Sequence, residues 1–155
     1  MTARLSDLGA PASSAAVFAA VAIALLAGHQ IGDYWVQTNG QAMGKALPGW
    51  LGRRACAAHV ATYTLPMLVT LGLAWWWLAL PLSAAWVAAG LGVSAVTHYF
   101  ADRRKPLERV ARMIPGKIGF YKAGEGLATG AALLDQAWHW GGIFLAALVI
   151  TGRPG

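Results

Sequence analysis

The sequence predicts an all-α polytopic membrane protein, a four-transmembrane-helix up-down bundle with a short interfacial amphipathic helix between helices three and four. Composition is the first indication. Hydrophobic residues make up 57% of the 155 residues and charged residues only 12%, about half the charge that a soluble domain carries. The apolar residues also fall into four blocks, each near the ~20 residues that cross a hydrocarbon core. A chain of this length forms one membrane domain, residues 1–155.

The predicted spans cover residues 13–37, 55–80, 82–101 and 128–150. Apolar character resumes after His29 with Ile31 and Trp35, so we interpret the first block as an uncleaved span rather than a signal peptide. Only the residues LPLS separate the second and third spans, which predicts a tight hairpin. Pro81 suits the first turn of the third helix, and Pro66 is expected to kink the second.

The two longer loops, 38–54 and 102–127, hold ten of the twelve basic residues. The positive-inside rule therefore predicts that both loops lie in the cytoplasm and both termini outside. Because topology accounts for the basic charge, no nucleic acid is expected as a partner. The expected partners are membrane lipid and, at the basic loops, anionic head groups of the inner leaflet.

The second basic loop contains one helical pattern. Its apolar residues share a stripe that predicts a short helix lying on the inner leaflet: Leu107, Val110, Ala111 and Ile114. The segment PGKIGFYKAGEG, next along the chain, is rich in glycine and predicts irregular structure.

Histidine and aspartate residues recur four positions apart inside the spans. The pairs are His29 with Asp33, His98 with Asp102, and Asp135 with His139. His59 has only Tyr63 at this spacing. A spacing of four places both side chains on one helix face. All four histidines fall near the cytoplasmic ends of their spans, so one layer of the bundle would receive an imidazole from every helix.

A carboxylate at the centre of a span costs ~2.5–3.5 kcal/mol, so these groups are expected to converge inside the bundle. There they would bond to one another or hold one or two divalent cations. The mixture of imidazole and carboxylate suits a divalent transition metal, zinc first and iron or manganese as alternatives. The predicted metal ligands are His29, Asp33, His59, His98, Asp102, Asp135 and His139. The alternative interpretation is that these groups only hold the helices together.

Four segments resemble, in order, the signatures of a family of small bacterial and phage membrane proteins known as domain of unknown function 3307. They are HQIGDYWVQT, HVATY, THYFADRRK and LDQAWHW. The resemblance covers roughly residues 25–140, with Tyr34 where phenylalanine is more usual. It implies an integral membrane protein and no established activity. The paired motifs are also similar to those of bacterial inner-membrane proteins described as metal-dependent hydrolases, which is an analogy of pattern.

Three functions remain open. The leading hypothesis is a membrane-embedded metal-dependent hydrolase for an amphiphilic substrate, with one of Asp33, Asp102 and Asp135 as the base. It predicts a cleft open to the cytoplasm. The second is metal-ion or proton transport by a homo-oligomer, which the apolar outer half of the spans disfavours. The third is a non-catalytic scaffold whose polar cluster stabilises the bundle and whose basic loops recruit a partner protein or anionic lipid.

Overall fold

A computed structural model describes residues 13–125 and 129–152 of the chain, and these ranges contain helices and no strand. The helices are α1 (Ser14–Ile31), α2 (Asn39–Gly44), α3 (Gly49–Trp77), α4 (Ala84–Asp102), α5 (Lys105–Met113), α6 (Lys117–Lys122) and α7 (Gly130–Ile150). A π-helical turn, Gly32–Val36, continues α1. Four of these helices are long and apolar enough to cross a membrane. The predicted all-α polytopic bundle is therefore confirmed.

The four long helices pack in a ring in which α1 lies against α3, α3 against α4, α4 against α7, and α7 against α1. Their buried apolar residues occupy the half of the bundle away from the histidines. This core includes Val17, Val21, Leu25, Met67, Leu71, Leu91, Ile143 and Ile150. The bundle therefore has one apolar half and one half with a polar interior.

Glycines let α1 approach α3 backbone to backbone. A Cβ at Gly28 would lie 2.5 Å from the Met67 Cα, and one at Gly32 would lie 3.2 Å from the Tyr63 Cα. Glycines four residues apart are a common way for membrane helices to pack closely. This contact brings the polar end of α1 against the part of α3 that carries His59.

The short helices correct three of the sequence predictions. Residues 38–54 are not a continuous loop, because they hold α2 and the start of α3. Thr38 caps α2 with a capping box. Its hydroxyl accepts from the Gln41 backbone N–H, and the Gln41 side-chain oxygen accepts from the Thr38 backbone N–H. The segment after α5 is not wholly irregular, since Lys117–Lys122 is helical. Pro81 lies before α4, whose N-cap is Ser83, rather than in its first turn.

The predicted amphipathic helix is confirmed as α5, whose Leu107 and Ala111 are buried. Its position at the membrane surface stays a prediction, as does the side of the membrane on which the loops lie. The termini with Arg4 and Arg153, and the predicted start of the fourth span at residue 128, lie outside the described residues.

Candidate metal centre

The structure brings all seven predicted ligands into one cluster inside the polar half of the bundle. Each histidine is at most 3% exposed. His98 is the centre, since its ring centroid lies 4.2 Å from that of His139, 5.0 Å from that of His59 and 6.0 Å from that of His29. Each of the four long helices thus contributes one imidazole to a common layer.

Two ring nitrogens and two carboxylate oxygens form the tightest part of the cluster. The Nε2 atoms of His59 and His98 are 3.0 Å apart. The Asp33 Oδ1 atom lies 3.2 Å from the first nitrogen and 3.4 Å from the second. On Asp102, Oδ2 lies 3.3 Å and 3.2 Å from the same two nitrogens. Each carboxylate oxygen therefore forms a triangle with the same two ring nitrogens.

These triangles have the dimensions of a metal coordination shell. Zinc binds nitrogen and oxygen at about 2.0–2.2 Å, which makes the edge of its tetrahedron about 3.3–3.6 Å. The observed edges, between 3.0 and 3.4 Å, lie at the lower end of that range or slightly below it. Three overlapping groups of ligand atoms lie within 4.8 Å of one another. They are His29, Asp33 and His98; His59, His98 and Asp102; and Asp102, Asp135 and His139.

Hydrogen bonding alone does not account for this convergence. A ring nitrogen makes one hydrogen bond, as donor or as acceptor. The His59 Nε2 atom nevertheless has four polar neighbours within 3.3 Å, because the side-chain nitrogen of Gln37 also lies 2.9 Å away. The Asp33 Oδ1 and Asp102 Oδ2 atoms are buried without a hydrogen-bond partner among the described residues. Polar atoms that crowd one point without aligned hydrogen bonds are typical of a cation site.

The π-helical turn aims Asp33 and Gln37 at the other helices. The Gln37 backbone N–H donates to the Gly32 carbonyl at 3.0 Å, five residues back instead of four. The extra residue rotates the rest of the turn by about 100° relative to a regular helix, and π turns often occur at functional sites. As a result Asp33 reaches His59 and His98, while its Oδ2 atom lies 3.7 Å from the Nδ1 atom of His29, its predicted partner. No pattern in the sequence predicts this turn.

Lys45 is a functional residue that sequence reasoning missed. Its Nζ atom lies 2.8 Å from the Asp102 Oδ1 atom, and its side chain is 14% exposed. Arg103 holds this segment in place by donating to the Lys45 carbonyl at 2.5 Å and to the Leu47 carbonyl at 2.8 Å. Lys105, three residues after Asp102, is exposed instead. Only the tertiary structure pairs a loop lysine with a carboxylate 57 positions later in the chain.

The α7 pair lies at the edge of the cluster. The His139 Nδ1 atom lies 2.7 Å from the Asp135 carbonyl oxygen and donates a hydrogen bond to it. Its Nε2 atom is buried without a hydrogen-bond partner among the described residues. Metal-binding histidines are commonly fixed in this way by a backbone carbonyl. The Asp135 side chain is 27% exposed, which makes it the most accessible of the cluster carboxylates.

The side chains around the cluster form an enclosed wall. The Tyr63 ring packs on His98 at a centroid distance of 3.8 Å, and its hydroxyl lies 3.1 Å from the Ser94 hydroxyl. Cys56 is buried, and its thiol faces the Tyr99 carbonyl at 3.8 Å.

Charge counting favours a single divalent ion. The carboxylates of Asp33, Asp102 and Asp135 contribute three negative charges, and the ammonium of Lys45 contributes one positive charge. With neutral imidazoles the cluster carries −2, which one divalent ion neutralises and two would overcompensate. Net charge inside a membrane protein is costly. The residues present therefore fit one ion of the kind that imidazole and carboxylate prefer.

No protein-family model matches the chain, and no curated protein or solved structure matches it significantly. The fold and the cluster define the class: a membrane protein of four long apolar helices around a buried histidine and aspartate cluster able to hold a metal ion.

Proposed function

We propose that this chain binds one divalent transition-metal ion, zinc by preference, and that the metal site hydrolyses an amphiphilic substrate at the inner membrane of a bacterium. The observation that carries the metal assignment is the pair of Nε2 atoms 3.0 Å apart with a carboxylate oxygen on either side. The motif order also supports membership of the family known as domain of unknown function 3307.

The cluster residues divide into holding and reacting groups. His59, His98 and Asp102 hold the ion, and Lys45 fixes Asp102 by occupying its second oxygen. A bound zinc ion supplies Lewis acidity and lowers the pKa of a water molecule toward neutrality. Asp135 is the best placed base, because it is the carboxylate that is partly exposed and the least engaged by other side chains.

Transport across the membrane is disfavoured by the rest of the bundle. The half beyond the histidines is filled by buried apolar side chains such as Val21, Leu71 and Ile143. Among the described residues, that half offers no second polar layer that could receive an ion leaving the cluster. The cluster therefore has no polar continuation through that half of the bundle among the described residues, which supports hydrolysis over transport.

Elemental analysis of detergent-purified protein tests the metal assignment. We expect about one divalent ion per chain, lost in His98→Ala because His98 belongs to two of the three ligand groups. Tyr63→Phe is the matched control, since it removes only the hydroxyl that contacts Ser94. Folded wild-type protein that stays free of zinc, iron and manganese after incubation with each would overturn the assignment and favour the scaffold hypothesis.

A second experiment tests hydrolysis separately. The metal-loaded protein is incubated in mixed micelles with phosphatidylglycerol, and release of the water-soluble head group or phosphate is measured. Asp135→Asn is expected to retain the metal and to lose the activity by about 100-fold or more, which is typical for removal of a general base. Equal activity of this variant and the wild type would exclude Asp135 as the base. A metal-loaded wild type that releases nothing would argue against hydrolysis of this lipid class.

A further inference from the structure

A second feature, outside the cluster, is an apolar cavity of about 560 Å³ between α5 and α7. Its volume lies within the range of about 300–1,000 Å³ that ligand sites occupy. On this side the wall consists of Leu107, Val110 and Ala111 from the buried or half-buried side of α5, together with the exposed Ile114 that follows the helix. Thr97 and Gly142 form the floor, where α4 and α7 are in close contact.

The α7 wall of the cavity follows the axis of that helix. It extends from Leu134 through Trp138 and Gly141 to Leu145. Eleven residue steps of helix correspond to about 16 Å at ~1.5 Å per residue. One leaflet of the hydrocarbon core is about 15 Å thick, half of ~30 Å. The cavity therefore has about the length of one acyl chain, and it begins one turn into α7, near the loop end of that helix.

The cavity is fixed in shape at its loop end. The Trp138 indole N–H donates to the Thr97 carbonyl at 3.1 Å. The same ring stacks on Phe100 with centroids 4.9 Å apart and an angle of 19°. This anchor holds a large aromatic wall rigid, and a rigid site loses less entropy when it binds a flexible chain.

Charge at the mouth indicates the head group. Among the described residues, Lys117 is the one charged residue that lines the cavity, and its ammonium lies 5.1 Å from the centre of the Phe120 ring. Residues 103–122 carry seven basic side chains against one acidic side chain, Glu108. Glu108 is itself paired with Arg112 at 2.5 Å. A basic segment beside a leaflet-length apolar cavity complements a phosphate that carries an acyl chain.

We propose that this cavity binds one acyl chain of an anionic phospholipid from the surrounding leaflet, with the lipid phosphate at Lys117. The site lies on the face of α7 next to the one that carries Asp135 and His139, because residues 134, 138, 141 and 145 follow a neighbouring helical stripe. A lipid held there has its head group level with the beginning of α7. The proposal does not depend on metal binding by the cluster.

Binding of a lipid acyl chain in the cavity is tested by native mass spectrometry of chelator-treated protein in a nonionic detergent. Phosphatidylglycerol and phosphatidylcholine with identical acyl chains are titrated separately. We expect one phosphatidylglycerol to be retained, at about tenfold lower concentration than phosphatidylcholine. Gly141→Leu fills the cavity without meeting any atom within 4 Å of its Cβ, and is expected to weaken retention of both lipids about tenfold.

Two variants act as controls. Gly92→Leu is the same replacement at another exposed helical glycine with open space around it, away from the cavity, and should bind as the wild type does. Lys117→Gln should keep acyl-chain binding and lose the preference for phosphatidylglycerol. Unchanged retention by Gly141→Leu would overturn the cavity as the binding site, and equal retention of the two lipids by the wild type would overturn the assignment of an anionic lipid. Because the metal is removed throughout, neither result bears on the metal proposal.

Discussion

Replacing Lys45 by methionine separates a metal site from a purely structural polar cluster. The change removes the ammonium 2.8 Å from Asp102 and keeps most of the side-chain volume. Loss of one partner from a buried ion pair costs about 3–5 kcal/mol. Since 14% of the Lys45 side chain is exposed, we expect the lower end, about 3 kcal/mol, for the metal-free protein.

The zinc affinity of Lys45→Met should rise, although the stability of the metal-free variant falls. At an effective dielectric of ~20, two unit charges about 5 Å apart interact by about 3 kcal/mol, and a divalent ion doubles this. Removing Lys45 relieves that repulsion, so Lys45→Met should bind zinc at least tenfold more tightly even after allowance for screening. A ligand at a hundred times its Kd adds about 2.7 kcal/mol of stability. Zinc should therefore restore most of the stability that the variant loses.

The assay is thermal unfolding in detergent with and without added zinc, together with zinc titration of the chelator-treated protein. Lys105→Met is the matched control, because Lys105 is an exposed lysine in the same half of the molecule. It should change neither stability nor affinity by more than a surface substitution does. The reasoning is refuted if Lys45→Met binds zinc more weakly than the wild type, or if zinc leaves its unfolding temperature unchanged.

Three further predictions concern packing, pH and topology. Gly28→Leu should lower the unfolding temperature strongly, because its Cβ would lie 2.5 Å from the Met67 Cα, whereas Gly92→Leu should be tolerated. Zinc retained after dialysis should fall as the pH is lowered from 8 to 5, because imidazoles bind metal only when unprotonated; retention independent of pH would argue against histidine ligands. A Lys105→Cys variant should react with a membrane-impermeant thiol reagent in inside-out vesicles and not in intact cells, and the buried Cys56 gives no background; labelling of intact cells would reverse the predicted topology.

The fold was predictable because its main determinant is local. Length and apolar composition define the four spans whatever their partners, and glycines such as Gly28 and Gly32 then set how closely two of them approach. Element ends were less predictable. The second span was predicted from residue 55, but α3 begins at Gly49, because Arg53 and Arg54 look like loop residues in sequence and lie in the first turns of a helix.

The cluster was predictable to the extent that spacing determines it. Histidines and aspartates four apart share a face, and the cost of burying charge makes those faces converge. Two features have no such local signal. Asp33 lies in the π-helical turn and contacts His59 and His98 as well as His29. Lys45 reaches Asp102 from a distant segment of the chain, whose Lys45 carbonyl accepts from Arg103.

A stabilising role alone does not explain why these polar atoms meet as they do. Polar groups that hold helices together work in donor and acceptor pairs, and each unpaired buried atom costs about 1–3 kcal/mol. Asp33 Oδ1, Asp102 Oδ2 and His139 Nε2 have no hydrogen-bond partner among the described residues. A cluster selected for stability would gain from replacing them with apolar side chains. A cation held by His59, His98 and Asp102 would satisfy the Asp102 oxygen directly, and it would also cancel the charge of −2 that the carboxylates and Lys45 leave inside the bundle.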